Sequence, residues 1–180
     1  IGDEFKIQIE RIQKILLDLF NLKTVIRDER VLKGENMYYL NPTSKIVYRF
    51  LVKFFEFKQG PKGNIYIPKI ILNSSEEIQK WFFRGFVDAD GGTRATEFYT
   101  NRKLPSPRIK IRLADKDFVY CLKKELNKLF SLNLTGPYSD GERDWYIQCA
   151  KKGMISANEN LFFTHPIKRW RLFNYLKRNI

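Results

Sequence analysis

A chain of 180 residues with a formal charge of +13 and 43% hydrophobic residues is long enough for one sizeable domain or two small ones, and too apolar to be disordered. The excess of Lys and Arg repels itself unless an acidic partner neutralises it, which points to nucleic acid. No apolar run is long enough to span a bilayer and no signal-peptide pattern is seen, so no membrane partner is expected.

Cys121 and Cys149 stand apart without CxxC spacing, which argues against a zinc site and for a reducing, cytoplasmic setting. His165, in Thr-His-Pro, reads as a loop residue rather than a metal ligand.

Asp3 is placed to cap a helix in which Phe5, Ile9, Ile12, Leu16 and Leu19 recur at three- and four-residue steps. A strand over Phe5, Ile7 and Ile9 competes, and the longer pattern favours the helix. Lys23 to Leu32 and Met37 to Leu40 read as a hairpin around Lys33-Gly34-Glu35-Asn36. After Asn41-Pro42-Thr43 a second helix is expected to bury Ile46, Phe50, Leu51, Phe54 and Phe55. Lys58 to Gly63 has loop composition, and Ile65 to Leu72 a short extended or helical character.

Ser74 followed by Glu77 has the spacing of a capping box, so a helix should start there with Glu76 and Glu77 in its positive first turn. Gly85 and Ala89, four residues apart, share a face where another backbone can come close. Phe82, Phe83, Phe86 and Val87 supply enough apolar surface to bury the helix almost all round. It ends in Asp88-Ala-Asp90-Gly-Gly, two acids at the negative end of the dipole, which is unfavourable unless a cation sits among them. The plainer reading is a glycine cap with both acids solvated beyond it.

In Arg108 to Leu113 three cations, Arg108, Lys110 and Arg112, alternate with Ile109, Ile111 and Leu113, a strand with one apolar and one basic face. Thr93 to Thr100 is its expected partner strand. A solvated edge strand would show the same pattern, but the hairpin follows the acidic helix end directly, so basic face and carboxylate should lie close together. Asp115 or Lys116 to Phe130 reads as a helix with Phe118, Leu122, Leu126 and Leu129 as its stripe. Leu132 to Tyr138 and Arg143 to Ala150 form a hairpin with Tyr146 and Gln148 outward. Gly153 to Phe163 and Ile167 to Leu176 read as helix, turn, helix. ILLDLFNL (Ile15 to Leu22) and NKLFSLNL (Asn127 to Leu134) form a weak internal repeat, each ending a helix that precedes a hairpin and another helix.

The stretch FRGFVDADGG, Phe83 to Gly92, resembles the signature motif of the LAGLIDADG homing endonucleases. The resemblance implies an α+β fold built of αββαββα repeats with antiparallel DNA-binding sheets. Residues 74–180 would be one complete repeat, and residues 1–73 an incomplete N-terminal repeat lacking its motif helix and first hairpin. It further implies site-specific cleavage of double-stranded DNA by an intron-encoded type of enzyme. Mg²⁺ or another divalent cation would be bound by Asp90 and the carbonyl of Ala89. Gly85, Phe86, Asp88 and Ala89 would form the interface of a motif-helix pair. Lys168, in a loop between the last two helices, and Lys62, its counterpart in the first half, would be the basic residues near the metal. Arg94, Thr96, Arg108, Lys110, Arg112, Tyr146 and Gln148 would read the DNA.

Only one motif is visible, so a second acid must come from a homodimer partner or another polypeptide. The alternatives are a non-cleaving nucleic-acid-binding protein on the same scaffold (RNA maturase, DNA-binding regulator or inactive fragment) and a basic structural protein in which Asp90 is dispensable.

Overall fold

The computed structural model describes residues 2–30, 36–56, 65–94, 107–141 and 144–178, in two units, Ile1–Phe57 and Lys58–Ile180. The first unit runs β1 (Gly2–Asp3), α1 (Lys6–Phe20), β2 (Ile26–Arg30), β3 (Asn36–Leu40) and α2 (Lys45–Phe55). Its strands form an antiparallel sheet in the order β1-β3-β2. The helix expected over this stretch forms from Lys6, and the strand alternative over residues 5–9 does not, but the expected Asp3 cap does not form: Asp3 lies in β1 and accepts the amide of Phe5 at 2.8 Å, the residue that precedes the helix and that no side chain caps. Asn21 ends α1 in the left-handed conformation, which its short polar side chain tolerates better than a branched one.

Ser44 caps α2 by accepting the Val47 amide. The buried face expected of α2 is not buried. Ile46, Phe50 and Phe54 are exposed, and the rings of Phe20, Phe50, Phe54 and Phe55 pack on one another instead. Among the described residues of this unit the fully buried apolar side chains are Ile9 and Leu40.

The second unit continues with α3 (Lys69–Leu72), α4 (Glu76–Asp90), β4 (Gly91–Arg94), β5 (Arg108–Leu113) and α5 (Lys116–Phe130). It closes with β6 (Thr135–Ser139), β7 (Trp145–Cys149), α6 (Lys151–Glu159) and α7 (Pro166–Arg178). The four strands make an antiparallel sheet, β4-β5-β7-β6. Ile109, Ile111, Ile147 and Cys149 on its inner face are covered by α5, whose Phe118, Leu122, Leu126 and Leu129 are all buried as their spacing predicts. Burial in this core pushes the Cys149 thiol up to about 12.

Candidate functional site

Helix α4 begins one residue later than the capping-box reading, with Ser75 rather than Ser74 as its cap; Ser74 instead donates its hydroxyl to the Ile71 carbonyl. Glu76 pairs with Lys80 one turn on, which holds the Glu76 carboxyl below its usual range. The helix buries Gln79, Phe83, Val87 and Asp88 only. Burial almost all round is therefore corrected: Ile78 and Trp81 are each 53% exposed, and Gly85 and Ala89 on the same side are exposed too. A Cβ built on Gly85 meets nothing within 4 Å, so the strip of small residues faces open space.

The helix runs through Asp90 and passes into β4 without a connecting residue. Gly91 permits that junction, because a Cβ there would lie 2.7 Å from the Val87 carbonyl oxygen. Asp90 is exposed at the last position of the helix. Asp88 is not on the open side. It is buried, and its carboxylate accepts the amide of Thr164 (3.0 and 3.2 Å to its two oxygens) and the Thr164 hydroxyl. Phe86 is likewise engaged inside the unit, its ring 5.6 Å from that of Phe118.

Lys168 does not sit in a loop but in the first turn of α7. Its ammonium donates to the carbonyls of Asp88 and, at 2.6 Å, of Gly91, with the Ala89 carbonyl at 3.5 Å. Those are oxygens that a helix end leaves without intrahelical partners, and a cation there offsets the negative end of the dipole. The cation that the acidic helix end calls for is thus supplied in part by the chain itself. Arg84 completes the connection, donating to the carbonyls of Asn160 and Leu161 at 3.0 Å while stacking on Trp81. Asp88, Arg84 and Lys168 together clasp α4 to residues 160–168.

The sheet places its second set of groups beside this helix end. Gly91 pairs with Ile111 and Gly92 with Lys110, so only Gly91 lies between Asp90 and the residue opposite Lys110. Lys110 lies opposite Gln148 and Arg112 opposite Tyr146, and paired residues share a face. Arg108, Lys110, Arg112, Tyr146 and Gln148 therefore stand together on the face away from Ile109, Ile111 and Ile147. Their partners are close. Arg108 donates to the Gln148 amide oxygen at 3.1 Å, and the Lys110 ammonium sits 3.7 Å above the Tyr146 ring. Lys110 also meets Asp140 at 2.8 Å, and Arg112 meets Asp144 at 2.6 Å.

No family model matches the chain. Over 115 residues it is 30% identical to the DNA polymerase of Acanthamoeba polyphaga mimivirus, a match that covers 64% of this chain and 6% of that protein. The chain thus spans a small part of that relative's length. Among solved structures, the homing endonuclease I-WcaI bound to its DNA recognition sequence superposes with a TM-score of 0.62 at 17% identity, over 96% of this chain and 73% of that one. I-DmoI in complex with DNA and Mn gives 0.57 at 18% identity, over 92% and 80%. This chain has the LAGLIDADG homing-endonuclease fold.

Within that fold, the expected site residues divide into four groups. Asp90, Ala89 and Lys168 come together at the end of α4, and Arg108, Lys110, Arg112, Tyr146 and Gln148 on the sheet face. Lys62 and Thr96 lie outside the described residues, and of Arg94 only the backbone, paired with Arg108, is described. Asp88 and Phe86 are used within the unit. Asp90 and the Ala89 carbonyl are hard oxygen donors of the kind Mg²⁺ prefers, and they fit as part of a ligand set. Among the described residues no three His, Cys, Asp or Glu side chains gather around one point.

The sequence reading missed Thr164, Arg84, Asp140 and Asp144. For the two turn acids a signal existed: carboxylates in the β6–β7 turn, in an otherwise basic half of the chain, at the end of the strand that neighbours the cations.

Proposed function

We propose that the chain is the DNA-binding and acid-bearing part of a site-specific, metal-dependent endonuclease acting on double-stranded DNA. One observation carries the reading: an exposed helix-end carboxylate, Asp90, leads within two residues into a sheet whose outward face bears Arg108, Lys110, Arg112, Tyr146 and Gln148. Arg and Gln suit guanine and adenine edges in the major groove, and the remaining positive charge suits phosphates. Mg²⁺, held by Asp90 and the Ala89 carbonyl with the balance of its ligands from water and DNA, would supply charge neutralisation at the scissile phosphate and a more acidic bound water. Lys168 holds the helix end in place and keeps a fixed positive charge next to Asp90.

A second carboxylate is needed for the opposite strand. The exposed strip of Ile78, Gly85 and Ala89 on α4 suits a second motif helix, from another copy of the chain or from a separate polypeptide. Because the chain shows one motif acid and no group of three or more metal-ligating side chains among the described residues, a protein that binds without cutting is the second reading.

The test is cleavage of a randomised plasmid library with Mg²⁺ and with Ca²⁺, comparing the chain with Asp90→Asn and recording its mass in solution. Site-specific breaks that require Mg²⁺ and vanish in Asp90→Asn are expected from a paired species. Tight, selective binding without breaks selects the second reading, and no affinity for duplex DNA overturns both.

A further inference from the structure

The cations of the sheet face are already engaged by carboxylates of the same sheet. Asp140 Oδ2 lies 2.8 Å from the Lys110 ammonium and 3.4 Å from Arg112 Nε. Asp144 Oδ2 receives both Nε and Nη2 of Arg112, at 2.9 and 2.6 Å. The turn that carries these acids is closed by the Asp140 amide on the Asp144 carbonyl at 2.8 Å, so their spacing is fixed by backbone. The network is partly withdrawn from water, with the Lys110 side chain 18% exposed and both carboxylates 32%.

We propose that Asp140 and Asp144 act as built-in phosphate mimics that make the centre of this sheet discriminate against random duplex DNA. The inference rests on the DNA-binding reading of the sheet and adds to it how non-specific binding is limited. The Nε and Nη2 edge of Arg112 is one a guanidinium can offer to a phosphate or to guanine, and here an anionic oxygen holds it. Two cations and two carboxylates cancel locally. A backbone phosphate approaching Lys110 or Arg112 must therefore sit beside a like charge or displace one. A base edge carries no net charge and meets a smaller penalty, since guanine O6 and N7 need only replace the carboxylate on Arg112 without adding a charge beside it, and a cytosine amine can even donate to one of the carboxylates. The acids thus weaken the sequence-independent part of the binding, which comes from phosphate neutralisation, and leave base readout in place. The Arg112–Asp144 pair is open to water, and a pair of that kind adds little to stability, so holding the fold does not explain it.

The experiment compares the full chain with Asp140→Asn/Asp144→Asn for binding to a random-sequence duplex across a salt series. Asn keeps the shape and one acceptor oxygen and removes the charge. Freeing two cations should tighten binding by about tenfold or more near ~0.1 M salt and steepen the dependence of log K on log salt by about one to two. Adding Arg112→Gln to the double variant should remove about half of that gain, which ties it to the freed guanidinium rather than to net charge alone. Unchanged affinity and slope in the double variant, or weaker binding, overturns the proposal. If wild type and variant alike fail to bind any duplex, the DNA-binding reading falls with it; if the wild type binds and the variant does not differ, only this inference falls.

Discussion

The two units carry the same succession of helix, hairpin and helix on the same spacing of apolar residues, and bury them to very different depths. Aligned at their helix ends, Ile9, Ile12, Leu16, Leu19 and Phe20 of α1 fall opposite Val119, Leu122, Leu126, Leu129 and Phe130 of α5. All five positions of α5 are buried, whereas in α1 only Ile9 is, and Leu19 is 70% exposed against 6% for Leu129. Amphipathic spacing is a property of the helix; burial is supplied by what lies against it. Helix α5 has α4 and the four-stranded sheet against it, while the described residues of the first unit offer α1 a sheet of three short strands and no counterpart of α4. A periodic sequence therefore announces a face without announcing its cover.

The largest expected effect separates the units physically. Residues 58–180 expressed alone should unfold in one cooperative transition, and residues 1–57 should show none, since so short a chain with so small a core cannot offset the entropy of ordering it. A sharp thermal transition in the shorter fragment would break the comparison. At matched positions in the whole chain, Leu126→Ala should cost about 3 kcal/mol and Leu16→Ala less than about 1 kcal/mol in urea unfolding. Equal costs would mean that α1 is covered as well as α5.

That contrast also explains how far the sequence could be read. Helix α5, the presence of the β6–β7 hairpin and the faces of β5 and β7 follow from local spacing, because every one of them depends on residues near in sequence. The Ile15 and Asn127 segments were set against each other by letter similarity, two residues away from the register in which Phe20 and Phe130 end their helices. Asp90 and the basic face were legible through the motif and the alternation. The clasp of Asp88 on Thr164, Lys168 on the helix-end carbonyls and Asp140 on Lys110 was not, because each joins groups far apart in the chain and leaves no periodic trace.

The clasp is the next place to test what holds the second unit together. Asp88→Ala removes the acceptor of the Thr164 amide and leaves that donor poorly satisfied, an expected loss of about 2 kcal/mol. Asp88→Asn keeps one acceptor oxygen and should recover about half. If both variants melted with the wild type in urea, the contact would not be holding the α6–α7 corner to α4.

The smallest effect asks the same question with the same chemistry in both units. Ser44 and Ser75 cap their helices alike, each accepting the amide three residues on, from Val47 and Ile78. Replacing either Ser by Ala should cost its helix about 0.5–1 kcal/mol. The cost should surface differently. Helix α4 contributes Phe83 and Val87 to the core of the second unit, so its helix start cannot fray freely and Ser75→Ala should lower the global transition by the full amount. Helix α2 has no buried residue, so it can open by itself, and Ser44→Ala should leave the global transition unchanged while raising hydrogen exchange at Val47 and Tyr48. A shift of the global transition by Ser44→Ala would show instead that α2 unfolds together with the rest and that its exposed aromatic residues are held in place by more than one another.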